Sequence, residues 1–195
     1  SAHDVMRRNV IGVLQPGEDA IALLGLDDEV LEVNVTPDRG YCFSMRGIAR
    51  EYWHSQGSPA GTFRDPALVS QVPHDTTTGY AVHLTDGAPI EGADGCDRYV
   101  ARIVRGVDPS APSPDWMAAR LTQAGMRPIS LAVDVTNYVM LLVGQPLHAF
   151  DLQTLSGSIV VRRAKDGERL TTLDDVERAL SVEDLLITDG GQEPL

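Results

Sequence analysis

A glycine and a proline fix where the most apolar helix of this sequence must stop. Apolar side chains recur at helical spacing along residues 138–143, and Gly144 and Pro146 follow directly. Glycine adopts the left-handed conformation that closes a helix at little cost, and a proline two positions later cannot continue the helix. The chain must therefore turn sharply after Gly144, which places His148 just beyond the turn.

The residues before this helix predict its start. Thr136 has a hydroxyl that can cap a helix by accepting a bond from a first-turn N–H group. Thr136 and Asn137 would then lie where free N–H groups favour an oxyanion or a polarised water, with His148 folded back beside them. The ordinary interpretation is that the threonine is only a cap and the histidine, beside proline and phenylalanine, only a packing residue.

Two kinds of hydrophobic periodicity predict an α+β fold, with a mixed, mostly antiparallel sheet and flanking helices. Alternation of period 2 indicates strands, and spacing of 3.6 indicates helices. A hairpin is predicted over residues 168–180, although residues 176–180 can also form a short helix. Strands are predicted near residues 31–35, 80–84, 99–104 and 159–162, and helices after Ser44 and after Ser113.

A stretch rich in Ser, Pro, Gly and Thr follows Gly57 and predicts a domain boundary near Ser58. Residues 1–57 would form a small N-terminal strand-helix unit, and residues 58–195 the main domain. The aromatic stripe that ends in Tyr52 and Trp53 suits a buried helix face better than a base-stacking platform, because its spacing is helical.

The formal net charge of −12 argues against a sequence-independent binder of polyanions. Any RNA contact must be local. The arginines on candidate strands either reach a phosphate or simply form a solvated face: Arg98, Arg102, Arg105, Arg162 and Arg163. No apolar run approaches the roughly 18 residues of a membrane span and no secretory signal begins the chain, so we expect a cytoplasmic protein without membrane contact. The two cysteines have no metal-ligand spacing.

Two runs carry a specific resemblance, DVTNYVM at residues 134–140 and QPLHAFD at residues 145–151. At this separation they resemble the editing-domain signature of bacterial phenylalanyl-tRNA synthetase beta subunits. The likeness continues, in family order, through residues 31–39, 44–51, 160–164, 171–174 and 184–189. Most of the chain is therefore similar to that family, and residues 58–195 would be most of its editing domain.

The resemblance implies that the domain hydrolyses tyrosyl-tRNA made in error on the phenylalanine-specific tRNA. By resemblance, Thr136 and the backbone near Asn137 would orient the attacking water, while Pro146 and His148 would shape the pocket. No metal or cofactor is expected on this chain. The parent ligase would use ATP and Mg²⁺ at another site, and would pair two alpha with two beta subunits.

In the family, a Gly-rich run and a glutamate that would recognise the tyrosine phenol follow the position of Leu195. The expected site is therefore incomplete here, and the isolated chain is expected to be weakly active or inactive. The alternative interpretation is a non-catalytic RNA- or subunit-interaction module of the same assembly, in which the signature serves only packing.

Overall fold

The computed structural model describes residues 27–68, 79–86 and 92–195, together with Gly17, Asp19 and Ile21. The chain divides into two compact units, Ser1–Gly40 and Tyr41–Leu195. The predicted boundary near Ser58, between an N-terminal unit of residues 1–57 and a main domain of residues 58–195, stays a prediction. Parts of the predicted irregular stretch, residues 69–78, lie outside the described residues.

In the first unit, residues 28–36 form no strand, so the strand predicted at residues 31–35 is wrong. Leu31 is 84% exposed, and Val33 is also exposed. A period-2 pattern becomes a strand only where a neighbouring strand accepts its ladder bonds, and no described strand pairs with this segment.

Three α-helices and two short 3₁₀ helices lie in the described chain. The helices are α1 Met45–Ser55, α2 Asp115–Gln123 and α3 Leu131–Val143, and the 3₁₀ helices are Pro37–Cys42 and Pro66–Leu68. The predicted cap of α1 is confirmed, because Ser44 Oγ accepts the N–H of Gly47 at 3.0 Å. Both α1 and α2 pack against α3.

The predicted burial of the α1 stripe is wrong for most of its members. Met45 and Tyr52 are 62% and 68% exposed, while Trp53 is half-buried. The buried residue of α1 is Gly47. A Cβ at Gly47 would lie 1.9 Å from the carbonyl oxygen of Tyr41, so the close approach of two backbone segments requires glycine here.

A four-stranded mixed sheet and a separate hairpin confirm the predicted α+β class. The four-stranded sheet has the order β1-β2-β5-β6, in which β1 runs parallel to β2 and the other pairs are antiparallel. The hairpin pairs β3 with β4, so its second arm is a strand rather than a helix. The strands are β1 Val82–Thr85, β2 Ile159–Arg163, β3 Arg169–Thr171, β4 Glu177–Ala179, β5 Leu185–Asp189 and β6 Glu193–Pro194.

The core lies on β2, β5 and α2. Ile159 and Val161 are buried on β2 as their alternation predicts, and Met117 and Leu121 form the predicted buried edge of α2. Residues 99–104 form no strand, so the strand predicted there is wrong. The predicted alternation persists in part, since Tyr99 and Ala101 are half-buried between exposed neighbours.

Arg162 is only 8% exposed, although the pattern placed it on a solvated face. Its guanidinium forms a bidentate pair with Glu168 at 2.7 and 2.8 Å and donates to the carbonyl oxygens of Gly191 and Gln192. The hydrogen bond from Arg162 lowers the pKa of Glu168 to about 2. Arg163 makes a similar bidentate pair with Asp86, at 2.7 and 2.9 Å.

Candidate functional site

Helix α3 begins earlier than its sequence pattern suggests. Its N-cap is Ser130, so Thr136 is the sixth residue of the helix and the predicted cap at Thr136 is wrong. The Thr136 hydroxyl instead donates to the carbonyl oxygen of Val133 at 2.7 Å. The hydroxyl oxygen of this half-buried side chain can still accept a hydrogen bond, for example from a water.

Asn137 follows in the interior of α3. The main-chain N–H groups of interior helix residues are bonded to carbonyl groups one turn earlier. The N–H of Asn137 is therefore already bonded within the helix, and the predicted role of the backbone near Asn137 in orienting a water stays a prediction. The half-buried side-chain amide of Asn137 is the polar group that remains available, and it offers both a donor and an acceptor.

The early start of α3 depends on Asp134, which is only 1% exposed. Its Oδ1 accepts the N–H of Ile129 at 2.8 Å, and its Oδ2 accepts the hydroxyl proton of Ser113 at 2.5 Å. A carboxylate in a first helical turn is also stabilised by the helix dipole. Asp134 thus ties α3 to the chain before it and to Ser113, two residues before α2. Thr136 and Asn137 lie two and three positions after Asp134.

The predicted end of α3 is confirmed. Gly144 has φ +81° and donates its N–H to the carbonyl oxygen of Met140 at 2.8 Å. Pro146 and His148 follow in an exposed turn, where the His148 ring lies 4.5 Å from that of Phe150. Thr136 is about 12 Å from Gly144 along the helix axis at 1.5 Å per residue. Among the described residues, no hydrogen bond joins Thr136 or Asn137 to His148. The catalytic and binding roles of these residues stay predictions.

A small cavity of about 120 Å³ lies between the start of α1 and the end of α3. This volume is below the roughly 300 Å³ at which small-molecule sites begin, so the cavity is too small for a tyrosyl group. Arg46 and Arg50 on its wall are held by Asp65, at 2.7 and 3.7 Å. The lining is completed by Tyr41, Ser44, Gly47, Val143, Gly144 and Gln145.

Two features that involve residues of the signature were missed from the sequence. The first is the buried Asp134, whose only sequence signal is an acid near the start of a helix. The second is an aromatic pair in which the rings of Trp116 on α2 and Tyr138 on α3 meet edge to face, 5.2 Å apart. Tyr138 was counted only as part of the apolar face, and its contact across two helices cannot be read from spacing.

The described residues hold no group of three or more His, Cys, Asp or Glu side chains that could bind a metal ion. Within the same described ranges, no helix is long and apolar enough to cross a membrane.

Comparison with known proteins places the signature inside a family domain. The B3/4 domain profile matches residues 95–194, about half of the chain, and this range contains all of α3 and the turn that follows it. The chain therefore belongs to the B3/4 domain family.

Its curated relatives are phenylalanine–tRNA ligase beta subunits. The chain is 57% identical to that of Bifidobacterium longum over 184 residues, which is 90% of this chain and 21% of that protein. It is also 57% identical to that of Leifsonia xyli subsp. xyli over 190 residues, 96% of this chain and 22% of that protein. The chain thus spans about a fifth of the length of the curated relatives it matches.

Proposed function

We propose that this chain is the part of a phenylalanine–tRNA ligase beta subunit that removes tyrosine from misacylated tRNA. The observation that carries the proposal is the B3/4 domain match, which encloses Thr136, Asn137 and His148. A pocket that binds phenylalanine rejects a substrate with one added hydroxyl by only about 10²-fold, so accurate charging needs a second, hydrolytic site.

In this proposal, the Thr136 oxygen accepts a hydrogen bond from the attacking water, and the Asn137 side-chain amide helps to orient it. His148 and Pro146, in the turn after Gly144, shape the pocket around the ester. Neither role requires a proton-relay triad, because an aminoacyl ester is activated and a positioned, polarised water suffices. The available hydroxyl oxygen of Thr136 supports its role, since its proton is already donated to Val133.

The names of the relatives support a ligase beta subunit, and the wider assignments extend the proposal from the resemblance alone. The parent enzyme would be a cytoplasmic ligase of two alpha and two beta subunits that acts on the phenylalanine-specific tRNA. ATP and Mg²⁺ would serve charging at a separate site, and this chain would need no cofactor of its own.

The test is separation of hydrolysis from charging in the complete ligase. We expect Thr136→Val to slow release of tyrosine from tyrosyl-tRNA by about 10²-fold, the usual cost of one lost transition-state hydrogen bond. His148→Ala should cost less, because a pocket-shaping ring orients rather than polarises. Charging with phenylalanine should change little in either variant.

Matched controls are available within the chain. Thr154 donates its hydroxyl to the carbonyl oxygen of Asp151 at 2.9 Å, three residues back as in Thr136, but on an exposed turn. Thr154→Val therefore controls for the loss of a local bond, and His83→Ala controls for the loss of an exposed histidine. Normal tyrosine release by the Thr136 and His148 variants would contradict the assignment.

A second candidate function is the non-catalytic interaction module. The exposure of Pro146 and His148 favours it, because a catalytic pocket normally encloses its residues. This alternative predicts that the Thr136 and His148 variants weaken subunit assembly or tRNA binding while hydrolysis per bound tRNA stays normal.

A further inference from the structure

The arginines of the described chain fall into two groups. In one group, carboxylates hold the guanidinium, as Glu168 holds Arg162, Asp86 holds Arg163 and Asp65 holds Arg46. In the other, the guanidinium has neither an ion pair nor a hydrogen bond to any described residue. Apart from Arg64, the members of this second group lie between residues 98 and 127, and all are exposed: Arg98, Arg102, Arg105, Arg120 and Arg127.

We call residues 98–127 the arginine segment. It contains these five arginines and only two acidic residues, Asp108 and Asp115, which gives a formal charge of +3 in a chain of −12. Even an ion pair between exposed side chains contributes at most about 1 kcal/mol, so exposed arginines contribute little to the fold. Locally clustered positive charge on an acidic protein instead attracts a polyanion to one place and repels it elsewhere.

Two arginines at the start of the arginine segment, Arg98 and Arg102, share a pattern of exposure. Exposure alternates along residues 98–102, as is typical of an extended chain: Tyr99 and Ala101 are half-buried, whereas Arg98 and Arg102 are exposed. Side chains an even number of residues apart share one side of an extended chain, and four residues span about 13 Å. Arg98 and Arg102 can therefore contact separate phosphates of one strand.

The segment also carries an exposed aromatic ring. Trp116 is 54% exposed, and the ring of Tyr138 supports it edge to face at 5.2 Å. Arg120 lies one turn further along the same face of α2. Aromatic rings next to arginines are the elements with which proteins hold single-stranded nucleic acid. Tyr138 follows Asn137 in the signature run, so one ring of this pair belongs to the signature on α3.

We propose that the arginine segment binds the single-stranded end of the tRNA, with Arg98, Arg102 and Arg105 on backbone phosphates and Trp116 against a base. This proposal rests on the proposed function, because it takes the substrate to be a tRNA ester. It also assigns Arg162 and Arg163 a structural role, since their donors are already bonded to carboxylate and carbonyl groups.

The first experiment measures binding of phenylalanine-specific tRNA to the full 195-residue chain as a function of salt. The segment variant carries Arg98→Gln, Arg102→Gln and Arg105→Gln. Each single-strand phosphate contact contributes about 0.7 to the slope of log affinity against log salt, so the segment variant should lose about 2 from that slope.

The control variant carries the same change of charge at exposed arginines outside the segment. Arg64→Gln removes an arginine that has no ion pair with any described residue. Arg169→Gln and Arg178→Gln remove arginines that are ion-paired on the β3–β4 hairpin. We expect its slope and affinity to match those of the unaltered chain. Equal loss in both variants would overturn the proposal, because net charge alone would then explain binding.

The second experiment tests stacking. Trp116→Leu keeps apolar bulk but removes the ring, and should weaken tRNA binding by about 5- to 150-fold with an unchanged salt slope. Trp116→Phe should restore most of the affinity. A loss that Phe does not restore, or a melting temperature that falls with the affinity, would indicate a packing role and overturn the assignment of Trp116.

The outcomes also separate this proposal from the proposed function. Normal tRNA binding by the segment variant, together with loss of binding to the alpha subunit, would overturn the proposal and make the segment a protein interface. If the segment variant loses salt-dependent binding while Thr136→Val and His148→Ala hydrolyse normally, the RNA surface stands and the catalytic assignment fails.

Discussion

Replacing the buried carboxylate of Asp134 tests whether this residue sets the start of α3. Asp134 accepts two hydrogen bonds, from the N–H of Ile129 and the hydroxyl of Ser113, and is 1% exposed. A hydrogen bond to a charged group contributes about 1.5–3 kcal/mol, so Asp134→Ala should lower the free energy of unfolding by about 4 kcal/mol. For a protein of this size, that corresponds to a fall of about 8–16 °C in melting temperature.

Asp134→Asn refines the expectation. The amide keeps the shape, and its oxygen can still accept the N–H of Ile129. Its NH2 group cannot accept the Ser113 hydroxyl proton, so the charge is lost and the bond to Ser113 must reverse direction; we expect a cost of about 1–2 kcal/mol. Asp115→Asn is the matched control, because Asp115 is also an acid in a first helical turn but is exposed. Asp115→Asn should lower the free energy of unfolding by at most about 1 kcal/mol.

The assay is thermal unfolding followed by circular dichroism, with a double-mutant cycle that adds Ser113→Ala. We expect the Ser113–Asp134 pair to show a coupling energy of about 1.5–3 kcal/mol. Equal melting temperatures for Asp134→Ala and Asp115→Asn would refute the reasoning, because the two buried bonds would then contribute nothing that an exposed first-turn acid does not.

Three further perturbations follow from the structure. The bond from Arg162 lowers the pKa of Glu168 from 4.5 to about 2. The contribution of Glu168 to stability is therefore present above pH 4.5 and is lost as the pH falls toward 2. Glu168→Gln should flatten the acid-unfolding curve in that window. Gly47→Ala places a Cβ 1.9 Å from a carbonyl oxygen and should lower the unfolding free energy in thermal melts by at least about 3 kcal/mol. In Gly40→Ala the new Cβ has nothing within 4 Å, so this control should lower the unfolding free energy by less than about 1 kcal/mol. Gly144→Ala puts a side chain at φ +81° and should lower the urea midpoint by the equivalent of about 1–2 kcal/mol without changing the slope of the transition; an unchanged midpoint would mean that the turn relaxes.

The fold class was predictable because it depends on periods that each segment carries by itself. Ile159 and Val161 alternate and are buried in β2, and Met117 and Leu121 recur at helical spacing and are buried in α2. Gly144 ends α3 because the left-handed conformation is a property of the glycine alone. Such local signals need no knowledge of what packs against them.

The start of α3 was not predictable, because it is set by contacts between distant residues. Thr136 has the chemistry of a cap, but the bonds of Asp134 to Ile129 and Ser113 hold an earlier turn in helical form, and Thr136 falls inside the helix. The sequence cannot show that Ser113, 21 residues earlier, would supply one of these bonds.

The burial of Arg162 is a second feature that is set by contacts between distant residues. Strand alternation placed it on the solvent side, yet its partners include carbonyl groups 29 and 30 residues away, which together with Glu168 compensate for its loss of water. For the candidate site, the residue types and their order were readable from the sequence. The separation of Thr136 from the turn that carries His148 was not, because it follows from the length of α3.

The parallel pairing of β1 with β2 has a consequence for the order in which the chain folds. Arg163 and Asp86, which join the ends of these strands, lie 77 residues apart, whereas β2 and β5 are antiparallel and much closer in sequence. Closing the longer loop costs more chain entropy, so we expect β2 and β5 to pair first and β1 to join late. Until β1 arrives, one edge of β2 is unpaired and open to other chains. The Arg163–Asp86 pair therefore forms when β1 covers this edge, and with it the edge of β2 ceases to be open to other chains.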